Sequence, residues 1–238
     1  MTDSPVPQII LVPQGAEYQA VCRGLSRVKV AKPLVLPIPV GSKPVTAYLK
    51  RWQESEAFVS KKPTSILVMG LGGSLSSQLV VGDIVLYHAC VCQSSETALV
   101  WRSFDGELTQ LLQDKLKSRV ALVKGFTSDR IIYCADEKRH LGQLYDTQVV
   151  DMEGFAALQV LSQAGVAVAM LRVISDDSRH NLPNLTSALN PEGDLQPLPL
   201  AIAMIRQPIA ATRLIRGAMQ GLRVLQNVTM SLFAHNPG

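Results

Sequence analysis

Val149 to Ser178 reads VVDMEGFAALQVLSQAGVAVAMLRVISDDS, and this stretch decides the fold class. Val149 and Val150 end an apolar run. Asp151-Met152-Glu153-Gly154 follows, then a segment with Ala157, Leu158, Leu161 and Ala164 at helical spacing. Gly165 terminates the helix. Val166 to Ile174 is a nearly continuous apolar run, the pattern of a strand buried on both faces. Strand, helix and strand in this order predict a parallel pair joined by a right-handed crossover. Glu153 then leaves the carboxyl end of one strand, and Asp176 and Asp177 leave the carboxyl end of the next. Open α/β sheets bind ligands at that edge. Taken singly, such acids also read as helix caps or solvated turn residues, and for Asp151 and Asp177 the spacing does not decide between the two.

The 238 residues, 47% of them hydrophobic, are enough for one large core, so the chain is read as one α/β domain over residues 1–238, a central mixed sheet flanked by helices. No apolar run approaches a membrane span, and Arg172 interrupts the longest. The opening MTDSPVPQ is polar and Pro-rich, unlike a secretory signal. Cys22, Cys90, Cys92 and Cys134 show neither zinc nor redox spacing; they read as buried free thiols, which suits a cytoplasmic protein. His88, His140, His180 and His235 lack ligand spacing, so neither metal nor cofactor is expected. The net charge of +4 is dispersed, without a basic run interleaved with aromatics, which argues against a nucleic-acid partner.

Gln8 to Val12 is expected as the first strand, broken by Pro13-Gln14-Gly15, with a helix from Ala16 to Leu25. Glu17 lies in its first turn, where an acid complements the helix dipole whatever else it does. Val28 to Val40, interrupted by prolines, reads as edge strands, and Pro44 to Val59 as a helix. The strand Ser65–Met69 runs into Gly70-Leu71-Gly72-Gly73-Ser74, read as a glycine-rich turn. Such a turn can cradle phosphate, admit a ribose, or simply turn tightly. Leu75 stands where the dinucleotide fingerprint needs its last glycine. Strands are expected at Ile84–Cys92, Ala98–Arg102 and Arg119–Lys124, and helices over 105–117 and 136–145. Ile131 and Ile132 suit either ordinary core or an apolar ligand wall.

Leu182 to Pro199 is a Pro- and Asn-rich loop at the same edge, long enough to act as a lid. A short helix to Arg206 and a last helix over 208–233 follow. Ile215, Leu222, Leu225, Val228 and Leu232 are its expected apolar positions. Arg213, Arg216 and Arg223 lie on another face, suited to solvent or to peripheral contact with a membrane surface.

D-M-E-G followed by a buried strand ending R-V-I-S-D, with V-G-D-I-V at Val81–Val85, resembles the purine nucleoside phosphorylase and nucleosidase superfamily. The nearest branch is the 5′-methylthioadenosine/S-adenosylhomocysteine nucleosidase, and the resemblance runs from Ile9 to Asp177. S-D-D-x-x-x-x-L-P and the Pro-led helix after it also resemble the hopanoid-associated branch, which is associated with removing adenine from adenosylhopane. The resemblance implies a nucleoside phosphorylase-like fold, a homodimer, a small adenine nucleoside as substrate, and cleavage of its N-glycosidic bond.

That chemistry explains the acids. Adenine leaves poorly as an anion, and a carboxylic acid that protonates N7 lets it leave neutral. The resemblance gives Asp176 this role, with Ser175 as its hydrogen-bonding neighbour. The sugar gains oxocarbenium character, which nearby negative charge stabilises. Glu153 is expected on the ribose hydroxyls, with Met152 packed on the sugar, and Glu17 is expected to activate water. Gly70 and Gly72 match the turn beneath the sugar, although Leu71 replaces the family's hydroxyl residue. Ile131 and Ile132 match the segment against the base. Arg172, a charge in a buried strand, needs one of these acids as partner. Phosphorolysis is the competing reaction, but Pro13 to Ala16 lacks the phosphorylase branch's arginine. A non-catalytic nucleoside sensor is the alternative of another class.

Overall fold

A computed structural model of the chain describes residues 7–29, 31–60, 63–93, 98–185 and 196–234. The first half alternates strands and helices: β1 (Ile9–Pro13), α1 (Ala16–Ser26), β2 (Leu34–Ile38), α2 (Ser42–Gln53), α3 (Glu56–Ser60), β3 (Ser65–Ser74), β4 (Ile84–Gln93) and β5 (Leu99–Ser103). The second half continues with α4 (Gly106–Leu116), β6 (Val120–Thr127), α5 (Ala135–Leu144), β7 (Val149–Asp151), α6 (Gly154–Gln163), β8 (Ala167–Asp176), α7 (Pro197–Arg206) and α8 (Pro208–Phe233).

The sheet is mixed, and part of it closes on itself. β3 pairs with β7 and β8, β8 with β4, β4 with β6, and β6 with β7, completing a ring; β1 and β2 extend it beyond β3, and β5 beyond β4. Closure leaves fewer strand edges exposed. Along β8, alternation sorts the side chains. Val168, Met170 and Ile174 join a core with α6 and α2, while Ala169, Leu171 and Val173 join a second core with α1, α4 and α8.

The expected parallel crossover from β7 to β8 is not what forms. β7 is parallel to β6 and antiparallel to β3, whereas β8 is parallel to β3, so β7 and β8 run in opposite directions. The parallel unit is β6–α5–β7. β7 is only 3 residues long and has β3 and β6 on its two sides, so β8 must enter the sheet elsewhere.

The glycine segment is also strand rather than turn. β3 continues through Gly70–Ser74, pairing with β8 along one side and with β7 along the other. The predicted helix over 44–59 breaks in two at Ser55, whose hydroxyl donates to the Trp52 carbonyl at 2.6 Å. The last helix spans the expected residues and buries Leu225, Val228 and Leu232 as expected, with Leu222 partly buried. Ala211, Gly217 and Gly221 face inward as well, and Ile215 is exposed. Of the expected lid loop, residues 186–195 lie outside the described residues, and its end, from Pro197, is helical.

Candidate active site

Gly73 sits where three strands meet, opposite Val150 of β7 on one side and Asp176 of β8 on the other. The register of β3 against β8 slips here: Gly72 faces Ile174 but Gly73 faces Asp176, leaving Ser175 as an extra residue. A bulge of this kind re-aims side chains. Strict alternation would send neighbouring Ser175 and Asp176 to opposite faces, yet both line one cleft of about 190 Å³. Glu17, Met152 and Glu153 line it too, with Leu71, Gly72, Ile131 and Ile132 among the remaining wall. The expected acids therefore converge around the Gly72–Gly73 end of β3, where the parallel strands β1, β3 and β8 present their carboxyl ends and β7 joins them antiparallel to β3.

Absent side chains make the room. A Cβ at Gly70 would lie 2.0 Å from Arg172 Nη1 and 2.8 Å from Glu17 Oε1, and one at Gly73 would lie 2.8 Å from Asp176 Oδ2. These glycines are required because charged side chains cross the strand, not because a phosphate approaches it. Gly70 and the fully buried Arg172 lie behind the cleft and do not line it, so neither is placed to touch a substrate as expected.

Arg172 organises the acids from behind. Its Nη2 donates to Glu153 Oε2 at 2.9 Å and lies 3.9 Å from Asp151 Oδ1. Burial lowers the guanidinium's affinity for its proton, but Asp151 and Glu153 more than offset this and the net shift is upward. Glu153 Oε1 accepts from the Gly41 amide at 3.0 Å. Burial raises the Glu153 carboxyl above its ordinary value, against the pull of Arg172. Arg172 and the backbone at Gly41 and Met152 contact this carboxylate, whose two oxygens offer about four lone-pair sites, so room remains for a further donor. Asp151 is a structural acid: its Oδ1 accepts from the amides of Glu153 at 2.9 Å and Gly154 at 2.6 Å and from Thr127 Oγ1 at 3.2 Å, which fixes the start of α6.

Glu17 Oε1 accepts from the Leu71 amide at 2.6 Å. The contact is to backbone, so the leucine at this position does not loosen it. Burial lifts the Glu17 carboxyl to about 7, with Arg172 and the Leu71 amide pulling the other way. A carboxylate poised there can take a proton near neutral pH.

Asp176 carries two contacts. Ser175 Oγ donates to its Oδ1 at 2.9 Å, and the Lys138 ammonium pairs with its Oδ2. Lys138 is completely buried in α5 and also donates to the Asp177 carbonyl at 3.2 Å. The sequence reading missed this lysine, because a charged residue in the polar stretch ADEKRH carries no mark of burial. Asp177 turns away from Asp176 to His180, with 3.0 Å from Oδ2 to Nδ1. Burial pushes Asp177 up, but the bonds from His180 and the Arg179 amide prevail and hold it below its ordinary value.

One wall of the cleft is apolar. Ile132 is buried with Leu75, Val91, Phe126 and Val150, and Ile131 packs toward Leu185 and Ala203. The combination of a carboxyl near neutrality, a buried glutamate and an aspartate on a buried cation suits a reaction in which one reactant gives up a proton and another accepts one.

The sequence profile of the Phosphorylase superfamily matches residues 51–189. The chain belongs to that superfamily. It is therefore an enzyme of the nucleosidase and nucleoside phosphorylase group. Among solved structures, a 5′-methylthioadenosine/S-adenosylhomocysteine nucleosidase from Helicobacter pylori superimposes with a TM-score of 0.64 at 15% identity, covering 94% of this chain and 97% of that one. The futalosine hydrolase of Helicobacter pylori gives the same TM-score of 0.64 and the same 15% identity, again over 94% and 97% of the two chains. A putative nucleosidase from Francisella philomiragia reaches 0.66 at 16% identity, over 94% and 96%. At these identities the likeness establishes the shared fold. No curated protein matches the chain by sequence.

Proposed function

We infer that this superfamily member hydrolyses the N-glycosidic bond of a 5′-substituted adenine nucleoside. The observation that carries the reading is one cleft lined by Glu17, Glu153 and Asp176 with an apolar wall at Ile131 and Ile132. Glu17 takes a proton from water as its oxygen attacks C1′ of the sugar. Glu153 accepts hydrogen bonds from the ribose hydroxyls and stabilises the positive charge that develops on the ring. Asp176, protonated when substrate is bound, passes its proton to N7. The electrons of the breaking C–N bond stay with the base, which departs neutral as adenine. The proton taken by Glu17 returns through solvent, so nucleoside and water give adenine and free sugar. Met152 packs on the sugar.

Water is favoured over phosphate by the cationic groups. Arg172 pairs with Glu153 through Nη2 and is fully buried behind the cleft, out of reach of a phosphate there, and Arg130, which borders the cleft, pairs with Glu137. The test is adenine release from a panel of adenine nucleosides, with and without phosphate. Release without phosphate supports the reading, and release of another base or of none removes it.

A second reading concerns the size of the 5′ group. The cleft shares Ser175, Asp176 and Leu182 with a neighbouring hollow of about 240 Å³, which is bordered by Arg213, Arg216 and Gln220 of α8. Beside it α7 and α8 expose Leu198, Ile202, Ile205 and Ile209, each at least half accessible. From Pro197 to Phe233 the sequence has four arginines and no acid. An apolar face rimmed only by positive charge suits an anionic lipid surface. No helix among the described residues is long and apolar enough to cross a membrane, so the contact is peripheral. Such a surface would present a nucleoside with a large apolar 5′ group, adenosylhopane being the expectation carried by the resemblance.

A further inference from the structure

Lys138 does not border the cleft, yet it is a fully buried charge whose partners are the Asp176 carboxylate and the Asp177 carbonyl. Burying an ammonium group costs several kcal/mol before its partners repay it. A methionine or leucine would fill the same space in α5 without that cost, so packing does not explain the lysine. We propose that Lys138 is a positioning residue for proton transfer to the leaving base, holding the Asp176 carboxyl at the bulge and stabilising the negative charge that appears on it as the proton departs. The inference rests on the hydrolytic reading above.

When the Asp176 O–H bond breaks and the N–H bond of the base forms, Asp176 goes from neutral to anionic. A cation fixed beside it lowers the energy of that change and needs no reorganisation at the moment of reaction. The other charged groups nearby are already engaged or stand apart. Asp177 faces His180, Arg139 binds Asp136 and the Ser178 carbonyl, and Glu137 holds Arg130. Glu17 and Arg172 lie at the far end of β3's glycine segment, and Arg213 and Arg216 border the neighbouring hollow. Ser175 fixes the second oxygen of Asp176, which leaves Lys138 as the charge in direct contact with it among the described residues.

The experiment compares wild type, Lys138→Met, Lys138→Arg, Asp176→Asn and the double variant Lys138→Met/Asp176→Asn for adenine release across pH. Lys138→Met should lower the plateau kcat about a hundred- to a thousand-fold with little change in KM. Lys138→Arg should restore much of the rate. In the Asp176→Asn background the loss of Lys138 should cost nothing further, and this pair still answers the question if the single Met variant fails to fold. A wild-type rate in Lys138→Met overturns the proposal. So does an equal further loss in the Asp176→Asn background. A wild type that releases no adenine would instead remove the hydrolytic reading itself.

Discussion

Arg172 Nη2 donates to Glu153 Oε2 at 2.9 Å, and both side chains are buried. One residue comes from the middle of β8 and the other from the loop ahead of α6, so the bond ties the two motifs that first marked the site. It also brings a charge into a strand whose flanking inward residues, Met170 and Ile174, are core. The space it needs is the missing side chain of Gly70.

Removing the arginine should therefore unfold the site rather than tune it. Arg172→Met leaves Asp151 and Glu153 as buried acids without their cation. The expected cost is about 3–5 kcal/mol of stability. Urea unfolding followed by circular dichroism measures it, and a loss well under about 1 kcal/mol would mean that the pair carries no structural role.

Gly70→Ala should act on the same cluster. Its Cβ would lie 2.0 Å from Arg172 Nη1, closer than packing allows, so Arg172 must move off Glu153 or β3 must shift. The cost expected for overpacking is about 1–3 kcal/mol. Adenine release should fall together with thermal midpoint, whereas an unchanged midpoint would show that the cluster relaxes freely.

The acid limb of activity should belong to Glu17. Its carboxyl is lifted to about 7 and must be ionised to take a proton from water. Lowering the pH through that value protonates it, so kcat/KM should fall on the acid side with a midpoint near it. Glu17→Gln should erase this limb and lower the rate about a hundred- to ten-thousand-fold. An acid limb that survives in Glu17→Gln would assign the titration to another group.

The residue types and motif order of the site were legible in the sequence. Asp-Met-Glu-Gly and Ser-Asp stand out because acids border apolar strands, and Arg172 announced a buried partner. Geometry was not legible. The direction of β8 depends on how the ring closes, a non-local pairing that no window of residues contains. Gly70 to Ser74 looked like a turn because glycine favours turns, while its reason here is the bulk of Arg172, distant in sequence. Lys138 was invisible because what holds it is the Asp176 carboxylate and the Asp177 carbonyl, distant in sequence, and not α5's own pattern.

The exposed face of α7 and α8 predicts vesicle binding. The protein should float with vesicles containing phosphatidylglycerol at low salt and not with pure phosphatidylcholine, and added salt should release it. Ile205→Ser/Ile209→Ser should weaken flotation by removing the apolar contact, and Arg213→Gln/Arg216→Gln by removing charge. A wild type that stays with the pellet at low salt rules out the membrane reading. A wild type that is dimeric in solution while the isoleucine variant is monomeric would assign the face to a second copy of the chain.

The central claim is that Asp176 delivers the proton that lets adenine leave, with water as the nucleophile. The direct measurement is adenine release from 5′-methylthioadenosine and from long-chain 5′-alkylthioadenosines in phosphate-free buffer, comparing wild type with Asp176→Asn. The account predicts adenine and free sugar from the wild type, a loss of about a hundred- to ten-thousand-fold in kcat for the variant, and nucleoside binding that survives. Near-wild-type release by Asp176→Asn, or product that forms only with phosphate and as the sugar 1-phosphate, would contradict it.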